Sequence, residues 1–90
     1  MTDPYTVEFS RQASSYYRRL PRESQQRVSG SLRRNAAAPH DRQLFTELHG
    51  ALAGYRRARV GNLRIIFSID DLIRVVAVTQ PGPRGDIYGQ

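Results

Sequence analysis

The sequence contains no cysteine and no lysine, and few histidines. Without cysteine, the chain can form neither a disulfide framework nor a thiolate metal site. Its two histidines, His40 and His49, lack the spacing of metal ligands, so no metal site is expected. No apolar run approaches the length of a membrane span, and the opening MTDPYTVEFS lacks the features of a signal peptide. These absences predict a cytoplasmic protein without metal, cofactor or membrane association.

Positive charge is abundant, and arginine alone carries it. Fourteen arginines against eight acidic residues give a formal net charge of +6 and a pI near 10.8. Such a balance predicts a polyanionic partner, either nucleic acid or an acidic protein. A chain of 90 residues is expected to form one domain, residues 1–90, with one modest core.

Residues 55–79 organise the chain, because they are predicted to form three consecutive strands joined by two tight turns. Gly61-Asn62 suits a two-residue type II′ turn, in which the first central residue needs a positive φ. With this turn, Arg59 lies opposite Arg64. Since side chains alternate between faces, one face is predicted to be the core. That face carries Ala58, Val60, Leu63, Ile65 and Phe67.

The other face of this predicted hairpin carries Arg57, Arg59 and Arg64. Like charges directly opposite each other destabilise a strand pair, by roughly 0.2–1 kcal/mol for each pair. A polyanion bound across the sheet would convert this repulsion into attraction. The alternative is a solvated face whose arginines separate into water. Three arginines together favour the polyanion.

Before this meander, the pattern predicts a short strand over residues 5–9 and two helices. Ser10 can cap the first helix, and Pro21 marks the corner before a second helix from Arg22 to about Ala36. Tyr16 and Tyr17 have the spacing of packing residues, with base stacking as the alternative. His49, just before the sheet, is expected to be solvated or bonded to its loop.

After the hairpin, Asp70-Asp71 is predicted as the second turn, followed by a strand over residues 72–79. In strict two-residue register Arg74 would join the apolar face, so either the turn is longer or Arg74 extends past the sheet edge. The sequence Pro81-Gly82-Pro83 is expected to force the chain out of the sheet.

The pattern Tyr55-x-Arg57-x-Arg59-Val60-Gly61-x-x-Arg64-Ile65-Ile66-Phe67, followed after a strand by Arg84-x-Asp86-Ile87-Tyr88, resembles the RelE/ParE superfamily of bacterial type II toxins. The resemblance covers nearly the whole chain. It implies a small α+β domain in which an N-terminal strand and a helical hairpin pack on one face of a twisted, mainly antiparallel four-stranded sheet.

The RelE branch of this superfamily cleaves mRNA in the ribosomal A site without a metal. The resemblance implies attack by a ribose 2′-OH on the adjacent phosphate, which leaves a 2′,3′-cyclic phosphate and a 5′-OH. By matching motifs, the catalytic residues implied are Arg57, Arg59, Arg64, Arg84 and Tyr88. The RNA-binding set implied is Arg56, Arg57, Arg59, Arg64 and Arg84.

The chain departs from the family pattern at two points. Arginines replace lysines often found on the second strand, and arginine is a poor general base because it stays protonated. Pro83 stands where relatives often have histidine or lysine, and a displaceable C-terminal helix, present in some relatives, is not expected.

The resemblance also implies partners. These are an acidic antitoxin that folds on binding, the mRNA and ribosome, and operator DNA reached through the toxin–antitoxin complex. Two alternatives remain open: a ParE-like inhibitor of DNA gyrase, and a non-catalytic module that binds RNA or the ribosome.

Overall fold

The computed structural model describes residues 3–72 and 74–83, which form two α-helices, a short 3₁₀ helix (Gly50–Leu52) and a five-stranded sheet. The α-helices are α1 (Arg11–Arg19) and α2 (Arg22–Ala37), and the strands are β1 (Thr6–Phe9), β2 (Thr46–Glu47), β3 (Arg56–Val60), β4 (Leu63–Asp70) and β5 (Val75–Pro83). The strand order is β1-β5-β4-β3-β2. β1 runs parallel to β5, and every other neighbouring pair is antiparallel. The predicted α+β class is confirmed, with five strands in place of four because the two-residue β2 extends the sheet beside β3.

The helical hairpin begins and turns where the sequence predicts. The Ser10 hydroxyl accepts a hydrogen bond from the Ala13 amide at 3.1 Å and so caps α1. Pro21 directly precedes α2, a position at which its missing N–H costs nothing. The Tyr17 ring lies 5.3 Å from that of Phe9, and its hydroxyl bonds the Gln25 carbonyl at 3.2 Å. Tyr17 is therefore a packing residue, as its spacing predicts.

The core lies between the helices and one face of the sheet. Gly61 has a φ of +62°, and Asn62 does not have a positive φ, in agreement with a type II′ turn. The predicted register of β3 against β4 is confirmed at every pair from Val60–Leu63 to Arg57–Ile66. All five residues of the predicted core face are buried, and they pack with the apolar stripe of α2, formed by Val28, Leu32 and Ala36.

The connection from β4 to β5 differs from the predicted two-residue turn. Asp70 pairs with Val75, so four residues lie between them, and the longer-turn alternative for Arg74 is confirmed. The extra length lets Arg74 adopt a φ of +58° and place its guanidinium carbon 4.7 Å from the centre of the Tyr5 ring. Leu72, predicted to begin a strand, lies in this turn and is 94% exposed.

The expectation that residues 81–83 leave the sheet is wrong, because β5 stays paired with β4 as far as Pro83. β1 pairs with β5 only as far as Val78. Beyond Val78, β5 is paired with β4 on one side and has no β1 residue on its other side. Proline is tolerated in such an edge segment when its nitrogen faces away from the neighbouring strand. Among the residues described, no helix is long and apolar enough to cross a membrane.

Candidate functional site

Three of the predicted site residues lie together on the sheet face that points away from the helices, which we call the arginine face. Arg59 is directly opposite Arg64, and Arg57 is opposite Ile66. The pair that flanks a two-residue turn is hydrogen-bonded, so by alternation the Arg59–Arg64 pair is of the non-hydrogen-bonded type, in which side chains stand closest. Their Cβ atoms are therefore about 4.5–5.5 Å apart. Two cationic side chains leave the sheet at nearly the same point.

The charge on the arginine face is only partly compensated within the protein. Arg59 is exposed, while Arg57 and Arg64 are half-buried at their strand positions. The described residues provide neither the Arg57 nor the Arg59 side chain with a hydrogen bond or an ion pair. Arginine presents five donors in a planar fork that fits phosphate oxygens. An anion with several oxygens would fit this face.

A groove continues the arginine face toward the start of α1. It has a volume of about 610 Å³ and includes Arg11, Tyr55, Ile66 and Thr79 in its lining. Ile66 is only 1% exposed although it lies on the side of the sheet away from the helices. The groove therefore joins an apolar floor to an aromatic ring and a further arginine. Residues distant in sequence form it, and neither alternation nor a short motif would have predicted it.

A β-bulge in β5 shapes this groove. Val78 pairs with Phe67 and Gln80 pairs with Ile66, so Thr79 is the extra residue. The Thr79 hydroxyl donates to the Ile66 carbonyl at 3.0 Å, and the Ser10 hydroxyl donates to the Thr79 carbonyl at 2.8 Å. Bulges bend a strand and redirect the residues that follow.

Beyond the bulge, β5 runs beside the part of β4 that carries Arg64. Gly82 lies opposite Arg64, and Pro83 lies opposite Leu63. Arg84, the next residue in the sequence, and Tyr88 lie outside the described residues, so their places in the site remain predictions.

Arg56 lies apart from the other predicted RNA-binding residues. It has the same strand parity as Ala58 and Val60, and its guanidinium carbon is 4.1 Å from the centre of the Phe45 ring. The guanidinium also donates to the Pro39 carbonyl. These contacts hold Arg56 against the helix-side core, on the opposite side of the sheet from the arginine face.

A second polar cluster ties β1 to the β4–β5 turn. The Tyr5 hydroxyl donates to Asp71 Oδ1 at 2.7 Å, and His40 Nε2 lies 2.8 Å from the same oxygen. The hydrogen bonds from Tyr5 and from His40 lower the pKa of Asp71, and the bond to Asp71 raises the pKa of Tyr5. This cluster joins segments of the fold. Within residues 3–72 and 74–83, no group of three or more acidic or histidine side chains is arranged to hold a metal ion.

Comparisons with known proteins agree with this architecture. A family model described as the ParE toxin of the type II toxin–antitoxin system parDE matches residues 7–80. The search of curated proteins found no match.

Solved structures extend the comparison to nearly the whole chain. The toxin–antitoxin complex RelBE2 from Mycobacterium tuberculosis contains a chain with 28% identity and a TM-score of 0.79, which covers 91% of this chain and 100% of its own length. The archaeal RelE–RelB complex from Pyrococcus horikoshii OT3 gives 26% identity and a TM-score of 0.76, with 93% of this chain and 99% of that chain covered. The isolated RelE toxin of E. coli, at 19% identity, shares the fold with a TM-score of 0.77 over 94% of this chain and 92% of its own.

Proposed function

Because the chain belongs to the ParE toxin family of type II toxin–antitoxin systems, within the RelE/ParE superfamily and with the RelE-like fold, we propose that it is a ribosome-dependent endoribonuclease that cleaves mRNA. It is the toxin of such a system, and a cognate antitoxin is its partner. The proposal concerns the target of the toxin, which is mRNA on the ribosome, and the reaction by which that mRNA is cleaved.

The observation that supports cleavage is the direct opposition of Arg59 and Arg64 with Arg57 on the same face. This arrangement costs stability through repulsion of like charges. Strain of this kind is typical of sites in which a ligand supplies the missing opposite charge. A phosphodiester in its transition state, with negative charge on its equatorial oxygens, is such a ligand.

The proposed reaction proceeds by in-line transesterification. The ribose 2′-oxygen attacks the adjacent phosphorus, a P–O bond forms, and the bond from phosphorus to the 5′-oxygen breaks. The proton of the 2′-OH passes to a base, and the leaving 5′-oxygen takes up a proton. The products are a 2′,3′-cyclic phosphate and a 5′-OH.

The five site residues have three kinds of role in this proposal. Arg57, Arg59 and Arg64 bind the non-bridging oxygens of the scissile phosphate, and Arg84 lies near the leaving 5′-oxygen. Tyr88 stacks on a base, orients the 2′-OH or relays a proton. Since arginine stays protonated, the three sheet arginines act electrostatically, and much of the acceleration comes from fixed charge and from alignment of the message by the ribosome.

The proposed partners follow from the same assignment. The antitoxin is expected to contribute an acidic, amphipathic segment that folds on binding, because its acidic side chains complement the cationic toxin and its apolar side can cover the groove lined by Tyr55 and Ile66. The mRNA and the ribosomal A site form the working complex. Operator DNA is expected to be bound through the antitoxin of the complex.

A gyrase inhibitor is the second candidate, because the matching family model is that of a ParE toxin. A protein that inhibits gyrase has no need to place several cations at one phosphate. The confirmed pairing of Arg59 with Arg64 therefore favours cleavage of RNA.

One pair of assays separates the two functions. Purified toxin is added to programmed ribosomes with primer extension as the readout, and in parallel to gyrase and supercoiled DNA with trapped cleavage complexes as the readout. The proposal expects cuts in the mRNA that depend on the ribosome and disappear when antitoxin is added. Trapped gyrase complexes with intact mRNA would establish the alternative, and ribosome binding without any cut would indicate a non-catalytic module.

A further inference from the structure

The net charge of the protein is concentrated on its helical hairpin. Residues 11–37 contain seven arginines and one acidic residue, Glu23. The rest of the chain contains seven arginines and seven acidic residues, so this segment carries a formal charge equal to the whole net charge of +6. The segment packs on the side of the sheet opposite the arginine face, except that Arg11, at the start of α1, lines the groove that continues that face. The charges of the other six arginines therefore cannot serve the scissile phosphate directly.

All seven helical arginines are exposed. We call the surface formed by the six that lie away from the groove the basic helix face, and its members are Arg18, Arg19, Arg22, Arg27, Arg33 and Arg34. Within the described residues, Arg27 alone among them has an acidic partner, Glu23 at 3.7 Å, and both side chains of that pair are largely solvated. Like charge at this density opposes folding, because the arginines repel one another and Glu23 offsets the charge of one of them.

A glycine lies among three of these arginines. Gly30 is three residues from Arg27 and Arg33 and four from Arg34, and residues at these spacings are neighbours on a helix surface. A side chain added at Gly30 would meet only the tip of the Arg34 guanidinium, at 3.6 Å. Glycine in a helix interior costs about 0.5–1 kcal/mol relative to alanine. The fold itself does not require a glycine at this position. A glycine would be required if the backbone of another molecule approached α2 closely here.

The chemistry of the basic helix face distinguishes a nucleic acid from a protein partner. No large apolar side chain on α1 or α2 is exposed. Protein interfaces depend on buried aromatic or aliphatic anchors, whereas phosphate backbones are bound mainly by solvated cations. An amphipathic antitoxin segment would find no apolar anchor on this surface. A polyanion that offers only charge and shape would fit it.

We propose that the basic helix face is a docking surface for the phosphate backbone of double-stranded RNA, separate from the arginine face. The choice of RNA over DNA rests on the proposed function, because a toxin that acts on the ribosome works among RNA helices. α2 has 16 residues and is about 24 Å long, enough to follow several phosphates. An RNA strand passes over Gly30, where its backbone approaches α2 between the flanking guanidiniums. The two faces together hold the toxin on structured RNA while the message lies across the sheet.

The test measures binding of a 20-base-pair RNA duplex to the full-length toxin, freed from antitoxin, as a function of salt concentration. The triple variant Arg22→Gln/Arg33→Gln/Arg34→Gln is expected to bind about 10- to 100-fold more weakly at 0.1 M salt. The slope of log affinity against log salt should fall by about 2–3, since each lost phosphate contact removes about one unit.

A control of equal charge changes three positions outside both faces. The variant Arg42→Gln/Leu72→Glu/Arg74→Gln has the same net charge as the helix variant, and it keeps both the basic helix face and the arginine face. Its affinity for the duplex is expected to stay within about threefold of the parent. Equal losses in both variants would show that overall charge alone attracts RNA, and would overturn the proposal.

A steric variant tests the role of Gly30 without any change in charge. Gly30→Leu is expected to weaken duplex binding about tenfold, while helix propensity predicts a thermal midpoint no lower than that of the parent. Unchanged affinity of Gly30→Leu would overturn the placement of the RNA backbone at this position. If the helix triple variant fails to fold by circular dichroism, Arg18→Gln/Arg19→Gln/Arg22→Gln replaces it.

Other occupants give different outcomes. A DNA duplex of the same sequence that binds more tightly than the RNA would overturn the proposal. So would an antitoxin whose affinity drops tenfold or more in the helix variant, because the surface would then belong to the antitoxin.

The outcome is also separable from that of the proposed cleavage. If duplex binding follows the helix charges while ribosomes leave the message intact, the docking surface stands and the nuclease proposal fails. If ribosome-dependent cleavage occurs and the helix variants bind duplex RNA like the parent, the docking proposal fails.

Discussion

Arg59 on β3 and Arg64 on β4 lie directly opposite each other in adjacent strands, so their positive charges are close together on one face of the sheet. Such a pair lowers the stability of the fold, and in the proposed function it binds the phosphate of the message. Stability and activity should therefore respond in opposite directions when one partner is replaced.

The first prediction concerns Arg59→Thr, which removes one charge of the pair and introduces a residue with high β-propensity. The free energy of unfolding should rise by about 0.2–1 kcal/mol, measured by urea denaturation. Cleavage on ribosomes should fall on the order of 10²-fold, as expected for loss of one fixed donor to a transition state. A variant that is less stable than the parent would show that the two guanidiniums do not repel.

The second prediction concerns Arg64→Ala and Arg84→Ala. Either change should abolish mRNA cleavage in the primer-extension assay and leave the circular dichroism spectrum and antitoxin binding intact. The reason is that each removes a fixed charge at the reacting phosphate. Cleavage at the parental rate would remove that residue from the site. Tyr88→Phe, which keeps the ring and removes the hydroxyl, separates stacking from proton transfer.

The third prediction uses the neighbouring residues Arg56 and Arg57, which point to opposite sides of the sheet. Arg56→Gln should lower the free energy of unfolding by about 1–2 kcal/mol, because it loses the contact with the Phe45 ring and the bond to the Pro39 carbonyl. Its cleavage activity should remain within a few-fold of the parent at temperatures where it is folded. Arg57→Gln should show the reverse, with unfolding nearly unchanged and cleavage reduced. Equal activity losses in both would place Arg56 in the site.

The fourth prediction concerns pH and the cluster of Asp71, Tyr5 and His40. The folded-state pKa of Asp71 lies below its ordinary value of 3.8. The ionised carboxylate therefore stabilises the fold, and this stabilisation is fully present above pH 3.8. The stabilisation is lost as the pH falls through the folded-state pKa. The pKa of Tyr5 is raised above 10.0, so its contribution is present below pH 10.0 and is lost as the pH rises through the raised value.

The variant Asp71→Asn tests this linkage. It should be less stable than the parent near pH 7, and the difference should shrink as the pH falls below 4, as followed by urea midpoints across the range. Tyr5→Phe removes one donor to the carboxylate and should move the acid transition of the parent to higher pH. A parallel pH profile in Asp71→Asn and the parent would contradict the linkage.

Local patterns predicted much of the β3–β4 hairpin and of the helices. Gly61-Asn62 fixes the turn, and alternation then determines which residues face the core. The stripe of Val28, Leu32 and Ala36 similarly determines which side of α2 is buried. The same parity rule also separates Arg56 from Arg57, although the family resemblance had grouped them.

The remaining features depend on contacts between distant segments. The β1–β5 pairing, the bulge at Thr79 and the groove beneath Tyr55 leave no periodic signal in the sequence. The length of the β4–β5 turn depends on a positive φ at Arg74, which nothing in its side chain predicts. The sequence alone also does not show that the helical arginines lie on a surface separate from the arginine face. That separation becomes visible only when the packing of the helices against the sheet is known.

The position of β5 between β1 and β4 affects how the protein emerges from the translating ribosome. β1 is made first, and its neighbour in the sheet is β5, the last in the chain of the strands formed by residues 3–72 and 74–83. In the nascent chain, β1 therefore lacks its β5 partner through most of synthesis, because pairing between segments distant in sequence forms late. The toxin gains its native surface only after β5 leaves the exit tunnel, which gives an antitoxin already present in the cell time to meet it.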